Sequence, residues 1–179
     1  IGLGYEDFKG NNPNLIMVSS SGLGHSGPDK DHVAYGTLLQ CFTGWSYQTG
    51  IPEKPPMIGG VWADPLTGMM QTFLVASCLS GRYRTGLGQY VDFSMAEANT
   101  TLLQESLMNF FMNNKIIERN GNFEPQIGIH DLFPCNGFDS WIALVIENDE
   151  DWNKFCVLSK IPELNKYNSN EKRLENRVQ

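Results

Sequence analysis

Asp64 is the residue in this chain whose type and setting best fit catalysis. It stands directly before Pro65. Proline favours the first helical position and aspartate the cap before it, so the pair predicts a helix start. Capping a buried helix is a complete account of Asp64 on its own. The same position sets the carboxylate in the field of a helix N-terminus, which favours negative charge. Gly59-Gly60 and Gly68 lie on either side, small enough to let a ligand approach. An ionised, fixed carboxylate beside open space can act as a nucleophile, and capping does not prevent it.

Other reactive types are less well set. His25 and His32 flank a glycine-rich loop and could act as acid or base, although loop histidines are more often solvated or structural. Gly22-Leu23-Gly24-His25-Ser26-Gly27 fits a GxGxxG pattern. In a dinucleotide site that loop opens a helix whose N-terminus holds a pyrophosphate. Here Pro28 and Asp29-Lys30-Asp31 follow, and no acid stands about 20 residues on. A strand-end turn needing positive φ is the better reading. Cys41, Cys78, Cys135 and Cys156 contain no CxxC, and buried reduced thiols are expected. His25, His32 and His130 show no metal-ligand spacing with them, so no metal is expected. Gly-x-Ser-x-Gly is absent, which disfavours an esterase triad.

These residues need elements to position them. Leu15 to Ser19 reads as a buried strand of the parallel-sheet kind, and Ser20 to Pro28 as a turn. Tyr35 to Trp45 reads as a helix with Leu38, Leu39 and Phe42 on one face. Gly50 to Gly60, with three prolines, is a loop. Leu66, Met69, Met70, Phe73 and Leu74 predict a long, largely buried helix over 64–82. Thr85-Gly86-Leu87-Gly88 ends it, and Tyr90 to Phe93 is a strand. Ala96 to Ile117 is predicted as a second long helix striped by Leu102, Leu103, Leu107, Phe110 and Phe111.

The texture changes near 118–125, where a boundary is expected between a large domain, 1–120, and the start of a small one, 121–179. Asp131 to Phe133 and Trp141 to Ile146 predict strands joined across Asn136-Gly137. Asn148 is a plausible cap for a helix with Trp152, Phe155 and Cys156 facing inward. A short helix around Glu171 to Val178 is expected at the end. The expected fold class is α/β: a partial Rossmann-like large domain with two long helices, then a small α+β domain.

Composition excludes several classes. Lys+Arg is 13 and Asp+Glu is 20 among 179 residues, a net charge of −7. That acidic balance lacks the basic footprint of nucleic-acid binding. Hydrophobic residues make up 41% and charged residues 18%, enough for a sizeable core. No apolar run reaches the ~18 residues of a membrane span, and no signal peptide is recognised, so a cytoplasmic location is expected.

Taken together the motifs resemble CoA-transferase family III, the formyl-CoA and carnitine CoA-transferase group. The matching stretches are Asn12 to Ser19, Ser21 to Pro28, Thr49-Gly50 before Pro55-Pro56, Ala63 to Gly68, Arg84 to Asp92, Leu132 to Gly137 and Asp139 to Ala143. Each is weak alone, but in register they cover nearly the whole chain. The resemblance implies CoA transfer between an acyl-CoA and a small carboxylic acid, with coenzyme A as substrate. It implies that Asp64 attacks the thioester and that an acyl-aspartyl anhydride and then an aspartyl-CoA thioester follow. Val33, Ala34, Tyr35 and Gly36 match the segment lining the CoA thiol end. Many relatives carry an acid after the tyrosine; here it is Gly36.

The resemblance also implies a homodimer, interlocked in relatives, and the apolar helix faces supply an independent motive for self-association. Family chains are longer, so this one is read as truncated at both ends, with Ile1 starting in mid-flow. Two alternatives stay open. One is an acyl-CoA racemase of the same superfamily, whose histidine would fall at Asp31, one residue before His32. The other is a non-catalytic remnant acting as an interaction module.

Overall fold

The computed structural model describes residues 2–177. The chain divides into two compact units, one through Arg119 and one from Asn120.

The first unit holds a parallel pair of strands. β1 (Ile16–Ser21) runs beside β2 (Gln89–Ser94), with Val18 opposite Val91 and Ser21 opposite Ser94. A short helix, α1 (Tyr5–Lys9), precedes β1. Between the strands lie α2 (Gly36–Phe42), α3 (Trp45–Gln48) and the long α4 (Ala63–Thr85). A parallel pair needs such a crossover. Gly86, at φ 74°, ends α4 by donating its N–H to the Arg82 carbonyl at 2.8 Å, a left-handed cap. Gly88 then passes under β1, where a Cβ would overlap the Leu15 carbonyl. α5 (Met95–Thr100) and α6 (Gln104–Asn113) follow β2. The α/β class is as expected from the sequence.

Three expectations are corrected. The second long helix, 96–117, is broken into α5 and α6. Asn99 donates its side-chain amide to the Met95 carbonyl, Thr100 its hydroxyl to Ala96, and Thr101 its hydroxyl to Ala98. Three consecutive side chains that bond backward along the helix compete with its own ladder. Leu102 and Leu103 then make tighter i→i+3 bonds, and Leu103 leaves the helical region at ψ 33°. The expected helix 35–45 stops at Phe42, because Gly44 adopts φ 95° and restarts the chain as α3. Finally, α4 is not largely buried. It packs on α2, α5 and β1 along one side only, and Met69 and Phe73 are 66% and 73% exposed.

The second unit is a hairpin under a helix. β3 (Ile129–Pro134) pairs antiparallel with β4 (Trp141–Ile146), and Cys135 N–H closes the turn on the Ser140 carbonyl at 2.7 Å. Gly137, at φ 124°, takes the turn position expected of Asn136-Gly137. Asn148 caps α7 (Asp149–Ser159), its side chain accepting from Asp151 N–H. Trp152, Cys156 and Ile146 form the core, with Phe155 partly buried beside them. A 3-10 turn (Pro162–Tyr167) and α8 (Asn170–Glu175) complete the unit. Val178, the expected end of that helix, lies outside the described residues. Cys78 and Cys156 are buried thiols as expected, but Cys41 and Cys135 are exposed.

Candidate functional site around Asp64

Asp64 stands two residues past the cap. Trp62 already has helical φ and ψ, so α4 begins at Ala63 and Asp64 stands inside the first turn. The helix dipole favours negative charge there. Ala63 is fully buried and Thr67 ties back to the Ala63 and Asp64 carbonyls at 2.9 and 3.0 Å, which fixes the turn. The Asp64 side chain itself is exposed. None of the ion pairs among the described residues involves it.

The structure brings Asp64 against Gly36. A Cβ at Gly36 would lie 2.9 Å from Asp64 Oδ2 and 3.0 Å from its Cγ and Oδ1. The carboxylate therefore rests on a bare Cα. Gly36 is buried, whereas Val33 and Tyr35 beside it are exposed and Ala34 is partly so. The contacts continue to the carboxyl end of β1: a Cβ at Gly22 would lie 2.7 Å from the Ala34 Cβ. Ligands of open α/β sheets gather at that end of the strands. Asp64, Gly36, Ala34 and Gly22 thus form one contiguous edge.

Two holding residues escaped the sequence reading. Gln40, only 1% exposed, donates Nε2 to the Gly60 carbonyl at 2.7 Å and so pins the strap that leads into Asp64. It lies four residues after Gly36, on the same helix face. That spacing was the signal that could have found it. Asp92 accepts the His25 backbone N–H on both carboxylate oxygens at 3.1 Å, holding the Gly22–Gly27 loop to β2. Gly24 and Gly27, at φ 84° and 88°, take the turn conformations that the loop requires. The histidines do not join Asp64. His32 pairs with Asp29 at 3.3 Å, and His130 belongs to the second unit, bonded to the Asn122 carbonyl at 2.7 Å. Among the described residues no group of three or more His, Cys, Asp or Glu could hold a metal ion. Nor is any helix among them long and apolar enough to cross a membrane.

The site thus sets a helix-borne carboxylate among glycines near the carboxyl end of a parallel strand pair in an α/β protein. The chain belongs to CoA-transferase family III, whose profile matches residues 1–179. It is 35% identical to the acetyl-CoA:oxalate CoA-transferase of Acetobacter aceti, over 92% of this chain and 42% of that protein. It is 29% identical to the succinate–glutarate CoA-transferase of Agrobacterium fabrum, over 99% of this chain and 45% of that protein. A crystal structure of a CAIB/BAIF family protein from Brucella suis superposes with a TM-score of 0.90 at 33% identity, over 98% of this chain and 47% of that one. The chain spans less than half the length of these relatives.

One substitution follows from the Gly36 contact. Gly36 has no positive φ, so alanine fits its backbone and favours the helix. The added methyl displaces the carboxylate instead. Gly36→Ala is expected to keep the melting temperature while lowering any reaction at Asp64 on the order of 10²-fold, the cost of a misplacement near 1 Å. Thermal unfolding and reaction rate, measured side by side, check it.

Proposed function

We propose that this chain carries the catalytic aspartate of a CoA-transferase that moves coenzyme A between an acyl-CoA and a small carboxylic acid. The observation that carries the reading is the Asp64 carboxylate, exposed, unpaired among the described residues and seated on Gly36. Asp64 attacks the thioester carbonyl of the donor. The C–S bond breaks, CoA leaves as thiolate, and an acyl-aspartyl anhydride forms. The thiolate attacks the aspartyl carbonyl, releasing the donor acid and leaving an aspartyl-CoA thioester. The acceptor carboxylate attacks that thioester, again expelling the thiolate. The thiolate then takes the acceptor acyl group from the second anhydride and frees Asp64. The carbonyl stays activated throughout, so neither water nor ATP is consumed. Val33, Ala34, Tyr35 and Gly36 line the thiol end of CoA in this reading.

Transfer is favoured over racemisation by the histidines. The His32 side chain is 73% exposed and paired with Asp29, and no histidine among the described residues bonds to Asp64. Incubation of the protein with an acyl-CoA and a ¹³C-labelled carboxylic acid tests the reading. Labelled acyl-CoA is the expected product. Exchange of the α-proton without label transfer speaks for the racemase, and neither product speaks for a non-catalytic module.

The protein is also read as a homodimer. Phe73 on α4, with Phe111 and Met112 on α6, is more than 70% exposed, and such surface favours a symmetric apolar patch between copies. Light scattering at micromolar concentration is expected to give twice the 20.1 kDa chain mass. A monomer mass contradicts it. Thiols free of disulfide bonds suit a reducing compartment, which supports a cytoplasmic location.

A further inference from the structure

The turn that carries Asp64 has few bonds of its own on the side where the chain enters it. Met57 N–H reaches the Thr49 carbonyl at 3.0 Å, and the next backbone bond along the chain is Leu66 N–H to the Trp62 carbonyl at 3.1 Å. A helix would also offer the Val61 carbonyl an N–H from position 65. That residue is Pro65, which has none. Among the described residues, the one hydrogen bond made by positions 58–61 therefore comes from another element: Gln40 Nε2 donates to the Gly60 carbonyl at 2.7 Å.

Gln40 is suited to hold that point. It is 1% exposed, so water competes little for its amide. A polar side chain buried this far is costly unless it is bonded, and an apolar residue would fill the same place on α2 without that cost. Gly60 turns the chain at φ 54°, with its carbonyl toward the amide. Gln40 also stands one helical turn after Gly36, on the same face of α2. That face thus meets the approach to Asp64 twice. Gly36 abuts the carboxylate, and Gln40 holds the backbone four residues before it. The bond is to backbone, so it sets where the first turn of α4 begins.

We infer that Gln40 is a positioning residue for Asp64: its bond to Gly60 fixes the first turn of α4 and keeps the carboxylate seated on Gly36. Its effect on catalysis rests on the transfer reading, but its hold on the turn does not. Gln40→Met keeps the length of the side chain and removes the donor. Gln40→Asn keeps the amide but is one methylene too short to reach. Both are expected to lower kcat roughly 10- to 100-fold, with KM for the acyl-CoA unchanged. Mass spectrometry separates misplacement from lost structure. The full complement of protein should still acquire CoA on Asp64, only more slowly, whereas lost structure cuts the fraction modified.

Amide exchange reads the hold without any activity. Leu66 carries the first N–H bonded inward in α4. It is expected to exchange about 5-fold faster in either variant, while residues 75–85 keep their rates. Unchanged exchange at Leu66 overturns the inference. So does a kcat equal to that of the unaltered protein, a modified fraction that falls in step with the rate, or loss of the fold in both variants. Faster exchange at Leu66, where the unaltered protein transfers no CoA, supports the hold and counts against the transfer chemistry alone.

Discussion

Asp64→Asn is expected to lose nearly all of the proposed CoA transfer and to keep its fold. Asparagine has the shape of aspartate and fits the same exposed place in the first turn of α4. No ion pair among the described residues is broken by the change. The stability cost is therefore only the lost attraction to the helix dipole, about 0.3–1 kcal/mol. The chemistry has no such tolerance. A neutral amide does not attack a thioester and cannot carry the anhydride, so the rate falls by on the order of 10³-fold or more. Circular dichroism and the labelled-acid assay on one preparation measure both halves. A folded Asp64→Asn protein that still transfers CoA removes Asp64 from the mechanism.

Trp152→Ala has the largest expected effect on stability. Trp152 is 2% exposed and packs with Ile146 and Cys156, flanked by Ile129, Leu144 and Phe155. Arg173 stacks over the indole at 5.1 Å and pairs with Asp149 at 2.6 Å. Truncation opens a cavity at the centre of a unit whose sheet has only two strands. A loss of ~3–5 kcal/mol is expected. Phe138→Ala is the matched control, because Phe138 is fully exposed at the hairpin turn. Denaturant unfolding should separate the two variants clearly. Equal midpoints contradict the assignment of Trp152 as the core.

The elements were legible where a local rule acts alone. Asn136-Gly137 predicts its hairpin, Asn148 its helix cap, and Gly86 the end of α4, because each works through its own backbone. The break at residues 101–103 was less visible. The stripe of Leu102, Leu103, Leu107 and Phe110 follows a helical period, while the interruption comes from side chains that turn back on the backbone. Periodicity does not register that competition.

Asp64 was legible as a residue but not its seat. The sequence places Asp64-Pro65 at a helix start, yet the helical conformation of Trp62 moves that start to Ala63. The contact with Gly36 joins segments separated by the whole α2, α3 and strap region, and only the fold brings them together. Gln40 looked like an ordinary helix residue. Its burial and its bond to Gly60 come from the strap folding over α2. The glycine loop was legible as a turn, but its clamp by Asp92 requires β2 to lie parallel to β1.

The most direct measurement is the mass of the protein after incubation with an acyl-CoA, followed by fragment sequencing to locate any added group. The aspartyl thioester reading predicts the mass of CoA less one water on the peptide carrying Asp64, removed by hydroxylamine and absent from Asp64→Asn. An adduct on any other residue, or an unmodified Asp64 in a sample that transfers the labelled acid, contradicts it.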